Sequence, residues 1–415
     1  MHSDVDRSTY RFITEYAEQN GGKAPSYANV VASVEGFEYV PEVSDQYSYL
    51  AKQIKDYSAK QAVIGLFKND GFSKKLNEMT GEQFTEWLLN ETESIRIRTS
   101  VRQNVGTNIK TDGDKFTAEY DRRKAGESFR IWKSKFSAIG EYISGNLYTV
   151  FGKSGRGKSV IALEDAIYAA SQGANVLIWA MEMGWYEVLV RIYVSISGEE
   201  GVTTARLNGV DMSAGFDSRD VRLGQLNEEF ETAFKSFVDT LNERISGNIT
   251  IRAVDDEDFG DRTLRALESD IDSVKADYVV VDPFYYLHYE TNTSKTTGGD
   301  AANTSMKLRA LTGRKSVVTV AITQAEETAQ NSDEDGEREL ALPERKDVKK
   351  TKGLLEDASL LIGVDSDYKQ GRALVGVFKG RDGGEGNTSE VLYMPGYGVV
   401  KELATGEGAI ADFNF

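Results

Sequence analysis

The stretch Gly152-Lys153-Ser154-Gly155-Arg156-Gly157-Lys158-Ser159 constrains this chain more than any other, because it satisfies the pattern G-x-x-x-x-G-K-[ST] at every fixed position. Leu147 to Phe151 before it is a β-branched and aromatic run that reads as a strand, and Val160 to Ala170 after it is rich in Ala, Ile and Leu and reads as a helix. Strand, loop and helix in that order make an anion cradle: backbone N–H groups around the glycines curl about phosphates, and the helix N-terminus adds its positive dipole end. The residues Gly152 to Ser159 therefore predict a nucleotide site, with Lys158 reaching the β- and γ-phosphates and Ser159 a ligand of Mg²⁺. The rival reading is a glycine-rich strand-to-helix turn that carries Lys-Ser by chance.

At 415 residues the chain exceeds one ordinary core, so one large and one smaller domain are expected. A hydrophobic content of 40% suits a globular protein, no apolar run approaches a membrane span, and the N-terminus lacks a signal pattern. A cytoplasmic protein with no membrane partner is the expectation. The sequence has no cysteine and only two histidines, His2 and His288, which excludes disulfides, thiol catalysis and Cys- or His-built metal sites. Chemistry must run on carboxylates, Lys, Arg and Mg²⁺. A net charge of −17 argues against a surface coated for nucleic acid, while a ring or groove can still present a local basic strip.

Residues 1–100 read as a small all-α domain. Tyr10, Ile13, Tyr16 and Ala17 lie at helical spacing up to Gly21-Gly22, Ser26 is placed to cap a second helix, and Asp45 to Ser58 and Ala59 to Phe67 read as two more. Thr80-Gly81-Glu82-Gln83 is a capping-box signature that opens a longer helix. No chemical motif falls here, so assembly or partner docking is expected of it. Residues 101–136 read as a polar linker with a short helix, Lys115 to Lys124, which would lie either on its own domain or on a neighbouring subunit.

From 137 to 415 strands alternate with helices, the signature of a doubly wound, mainly parallel sheet. Asn175 to Met181 is a buried-type strand ending at Glu182, Tyr278 to Val281 ends at Asp282, and Ser316 to Thr323 ends at Gln324. Ligands in such sheets sit beyond the carboxyl ends of strands, which aims all these residues at the nucleotide. Asp282 would hold Mg²⁺ with Ser159, and Glu182 is either a catalytic acid or a surface one. A long polar stretch to about Gly353 follows, acidic first and then basic (Arg345, Lys346, Lys349, Lys350, Lys352). Further strands are read at Ser359 to Val364 and Ala373 to Phe378, then a hairpin-like run from Glu390 to Val400.

The order of these motifs resembles the RecA-like motor domain of DnaB-type replicative helicases over roughly Ser134 to Val400. The match is carried by the phosphate loop, Ala180-Met181-Glu182-Met183, Val279-Val280-Val281-Asp282, Thr323-Gln324 and Lys379-Gly380-Arg381-Asp382-Gly383, with a weaker match at Asp347 to Ala358. Pro283 stands where the family has Tyr, and the N-terminal half matches the helical collar loosely and is shorter. A divergent, phage-encoded member is expected. The resemblance implies a RecA-like P-loop fold, ATP hydrolysis with Glu182 activating water, and Gln324 sensing the γ-phosphate. It also implies Arg381 with Lys379 completing a neighbour's site, and Lys349, Lys350 and Lys352 contacting single-stranded DNA. It implies a homo-oligomeric ring, by family a hexamer, moving 5′ to 3′, with a primase or helicase loader as partner.

On the residues alone, Gln324 could equally cap a strand, Lys379 and Arg381 could be an exposed basic pair, and the lysine cluster could be a solvated loop face. The rival functions are a RecA-type recombinase or mediator, a DNA-independent RecA-like signalling ATPase, and an interaction protein with a vestigial loop. The intact Lys158, Ser159, Glu182 and Asp282 speak against the last.

Overall fold

The structure, a computed structural model, describes residues 4–38, 47–99, 106–207, 209–292, 296–326, 338–348, 350–381 and 383–402. Its contacts divide the chain into two compact units, Met1–Phe116 and Thr117–Phe415.

The first unit is helical: α1 (Asp4–Gln19), α2 (Tyr27–Ser33), α3 (Tyr47–Lys68), α4 (Asp70–Glu78) and α5 (Gly81–Thr99), with α6 (Gly113–Lys124) crossing the division. Local chemistry sets the ends. Gly21 and Gly22 take positive φ after α1, and the Ser26 hydroxyl accepts from the Asn29 N–H to cap α2. At α5 the Thr80 hydroxyl accepts from Gln83 N–H while the Gln83 side chain accepts from Thr80 N–H, which closes the capping box. Residues 47–68 form one helix where the sequence reads as two, because nothing at Ser58-Ala59 breaks it. Among the described residues only Thr9, Val30, Val34 and Ile95 of this unit are buried, and Phe67, Phe72, Phe84 and Trp87 form an aromatic cluster.

The second unit opens with the antiparallel pair β1 (Ile131–Lys133) and β2 (Glu141–Ile143), then runs β3 (Leu147–Gly152), α7 (Lys158–Ser171), β4 (Asn175–Ala180) and α8 (Trp185–Glu200). An antiparallel ribbon, β5 (Thr203–Leu207) and β6 (Val210–Ala214), and helices α9 (Ser218–Leu223) and α10 (Glu228–Asp239) lead to β7 (Asn248–Ala253). Next come α11 (Leu264–Val274), β8 (Tyr278–Asp282), α12 (Gly299–Lys315), β9 (Val318–Gln324), α13 (Lys352–Asp357) and β10 (Leu360–Asp367). The described chain closes on β11 (Arg372–Gly380), β12 (Thr388–Met394) and β13 (Val399–Glu402).

Among the described residues the main sheet has nine strands in the order β13-β12-β11-β10-β3-β9-β8-β4-β7. From β10 to β7 neighbours are parallel, and β11 to β13 extend the sheet antiparallel. Side chains alternate faces along each strand, and here both faces are covered. Val176 and Ile178 of β4 enter a core with α7 and α8, whereas Leu177 and Trp179 enter a second core with α11 and α12. Two-sided burial is why these strands are continuous apolar runs in the sequence. The β1–β2 hairpin is tied to α7 by Asp165, whose buried carboxylate accepts from Tyr142 Oη (2.6 Å), Ser134 Oγ (2.8 Å) and Lys135 N–H (2.7 Å).

Candidate functional site

The site begins where β3 stops. Gly152 lies so close to β10 that a Cβ there would sit 2.5 Å from Val364 O, and a Cβ on Gly157, which has φ +87°, would sit 2.7 Å from Tyr393 Oη. Close backbone approach and the left-handed region together reserve these positions for glycine. The loop they permit feeds into α7 at Lys158, and the Lys158 ammonium donates to Lys153 O at 2.7 Å, folding back across the loop's mouth. Burial pulls the Lys158 pKa down, against the raising effect of Asp282 and Glu182.

Sheet order delivers the acids. β9 and β8 follow β3 on one flank, then β4, so Asp282, Gln324 and Glu182 all lie at carboxyl ends beside the loop. Met181 N–H donates to Asp282 O (2.8 Å) and Ala325 N–H to Gly152 O (2.9 Å), which pins the strand ends together. Asp282 is buried and accepts a hydrogen bond from Ser159; burial pushes its carboxyl up to about 6, Glu182 adds to the rise, and Ser159 and Lys158 oppose it. A buried carboxylate beside a hydroxyl, both hard oxygen donors at a phosphate cradle, suits Mg²⁺, which takes few protein ligands and completes its shell with phosphate and water. No cluster of three or more His, Cys, Asp or Glu that could hold a metal occurs among the described residues, so a closed all-protein cage is not the arrangement here.

Together these residues bound a cavity of about 490 Å³ lined by Ser154 to Ser159, Glu182, Asp282 and Gln324. Glu182 and Gln324 expose their side chains, and Tyr285 Oη lies 3.5 Å from Gln324 Oε1. Met183, Glu187 and Arg191 around the start of α8, with Tyr285 and Tyr393, complete the wall. These partners lack a motif of their own: Tyr393 lies on β12, far along the chain, and the α8 residues sit within an ordinary amphipathic helix.

The lysine segment touches the same site from behind. A second cavity, about 200 Å³, is lined by Tyr285, Thr323, Gln324, Glu326, Lys350 and Thr351. The buried hydroxyls of Thr323 and Thr351 share a hydrogen bond of 2.6 Å, and Glu326 N–H donates to Asp347 O at 2.9 Å. Lys350 and Lys352 are exposed, whereas Lys349 lies outside the described residues.

Lys379 and Arg381 are elsewhere. Gly380 pairs with Leu360, which pairs with Tyr148, so Arg381 stands at the end of β3 opposite to the phosphate loop, in a cavity with Asn146, Tyr148 and Ser359. Lys379 Nζ donates to the carbonyls of Glu356 and Ala358, each at 2.7 Å, and so caps the end of α13. Burial and then Arg381 pull its pKa down.

No protein-family model matches the sequence, and no curated protein matches it. Solved structures do. The ATPase domain of one helicase aligns over 72% of this chain and 100% of its own, at 16% identity and a TM-score of 0.53. A DnaB-like replicative helicase, described with its interactions with primase, aligns over 95% of this chain and 91% of its own, at 15% identity and a TM-score of 0.61. The chain has the DnaB-type helicase fold. Within that DnaB-type fold, the longer alignment takes in the helical N-terminal unit as well as the RecA-like sheet. The RadB recombinase aligns at a TM-score of 0.39 over 65% of this chain.

Proposed function

We propose that this protein is an ATP-dependent replicative DNA helicase that translocates on single-stranded DNA, 5′ to 3′, as a ring of six copies. The observation that carries this reading is the shared wall: Gln324 and Tyr285 line both the phosphate-loop cavity and the cavity that holds Lys350 and Thr351. A change at the nucleotide's terminal phosphate thus has a physical route to a basic loop.

In the proposed reaction Lys158 leaves Lys153 O for the β- and γ-phosphates, and Glu182 orients and deprotonates the attacking water. Ser159 and Asp282 would hold Mg²⁺, which neutralises phosphate charge when bound. Gln324 registers the γ-phosphate, and the Thr323–Thr351 bond passes the change to Lys350 and Lys352, which with Lys349 contact DNA phosphates. Arg381 serves the neighbouring copy's site, since it stands at the wrong end of β3 to serve its own, and Lys379 fixes the strand end that carries it. The first unit, with few buried residues for its size, supplies a collar for assembly and for a primase or loader.

The test is ATP turnover by the purified protein with and without single-stranded DNA. Strong stimulation supports the motor. Turnover indifferent to DNA moves the function to the second reading, a RecA-like ATPase acting on protein, which the net charge of −17 favours.

A further inference from the structure

Nothing in the phosphate-loop pattern requires the arginine at position 156 or the acid that lies behind it. Asp365, near the carboxyl end of β10 and 2% exposed, accepts from both arms of Arg338, Nη1 at 2.7 Å and Nη2 at 2.8 Å, and from Ala341 N–H at 2.8 Å. Arg156 reaches the same place more loosely: Nη1 donates to Ser366 O at 3.3 Å, and Nε is 3.9 Å from Asp365 Oδ1, beyond hydrogen-bonding distance. Arg338 is thus the tight partner of the carboxylate. Arg156 is a half-buried guanidinium that is steered by it and lines the nucleotide cavity.

Topology says which part of a nucleotide this guanidinium meets. Glu182, Asp282 and Gln324 occupy the β9-β8-β4 flank of β3, whereas Asp365 and Ser366 occupy β10 on the other flank. A nucleotide whose terminal phosphate faces Glu182 and Gln324 therefore runs across the loop with its α-phosphate and ribose towards β10. We infer that Arg156 grips the α-phosphate and ribose end of the nucleotide, and that Asp365, itself clamped by Arg338, is the positioning residue that holds Arg156 there. This rests on the nucleotide reading above and goes beyond it. The loop would have a dedicated binding arm apart from its catalytic end, fixed by the segment that leads into the lysine loop.

Binding energy of this kind is felt equally in ground and transition states, so it appears in KM and not in kcat. The experiment measures affinity for a fluorescent ADP analogue with Mg²⁺ and no DNA, beside steady-state ATP turnover. Arg156→Ala should weaken ADP about tenfold, as loss of one charged hydrogen bond does, and raise KM for ATP with kcat nearly unchanged. Asp365→Asn should weaken ADP in the wild-type background and add nothing to Arg156→Ala, because it acts through that residue. Should Asp365→Asn fail to fold, Arg338→Gln serves: it leaves Asp365 to draw Arg156 back from the cavity and should weaken ADP only where Arg156 is present. Unchanged ADP affinity in Arg156→Ala, full additivity of either second variant with it, or a loss confined to kcat overturns the inference. Absence of ADP binding by the unaltered protein overturns the nucleotide reading first and this with it.

Discussion

At the scale of single residues the site is a set of charges held where water cannot compensate them. Asp282 shows the sign of the effect. Its carboxyl is pushed from the ordinary 3.8 up to about 6, so between those pH values the folded state keeps a proton that the unfolded chain releases. Its contribution to stability therefore falls as pH rises through that window, and above about pH 6 the whole cost of the buried charge is present. Asp282→Asn should stabilise the nucleotide-free protein against unfolding at pH 8, by on the order of 2 kcal/mol, and change it little at pH 4. Thermal unfolding at the two pH values checks this; equal shifts at both would contradict it. The same variant should lose turnover, the usual exchange of activity for stability at a functional site. Lys158→Ala should keep the fold and lower ATP turnover at least about a hundredfold, as loss of one aimed donor does; normal turnover would remove the nucleotide site from this loop.

At the scale of elements, function depends on what hangs from the strand ends. β9 carries Gln324 into the nucleotide cavity, and through Thr323 it holds Thr351 and the lysine segment. Replacing Lys350 and Lys352 by Ala should leave DNA-free turnover intact and weaken single-strand binding. The log–log salt slope should flatten by about 0.7 for each DNA phosphate that then goes without its lysine. An unchanged slope would make these lysines a solvated face. The elements that carry this machinery were legible in the sequence because β3, β4, β8 and β9 are buried on both faces and read as unbroken apolar runs that lead into Gly152, Glu182, Asp282 and Gln324. The edge strand β7, half-buried and polar at Asn248 and Arg252, and the exposed ribbon β5–β6 carry no such run, and β1 and β2 are only three residues each. Asp365 could have been found by the same rule that found Asp282, since it too follows an apolar strand, but its partner Arg338 lies in irregular chain with no periodic signal. Tyr393 and Tyr285 were hidden for another reason: an aromatic that lines a cavity is indistinguishable in sequence from one in a core.

At the scale of the whole molecule, the far placement of Arg381 means that in the proposed ring the site of one copy depends on another. Arg381→Ala should lower DNA-stimulated turnover about a thousandfold or more, the size of effect that arginine fingers show. Mixed with Lys158→Ala it should regain part of that turnover, because in a ring some sites then combine an intact loop with an intact arginine. Turnover in the mixture no higher than in either variant alone would place Arg381 outside the neighbour's site.

The central claim is that ATP hydrolysis here drives movement along DNA, and its most direct measurement is unwinding of a labelled forked duplex with a 5′ or a 3′ single-stranded tail. The account predicts ATP-dependent strand release from the 5′-tailed fork that Lys158→Ala abolishes. Robust DNA-stimulated turnover with no release from either fork would contradict it.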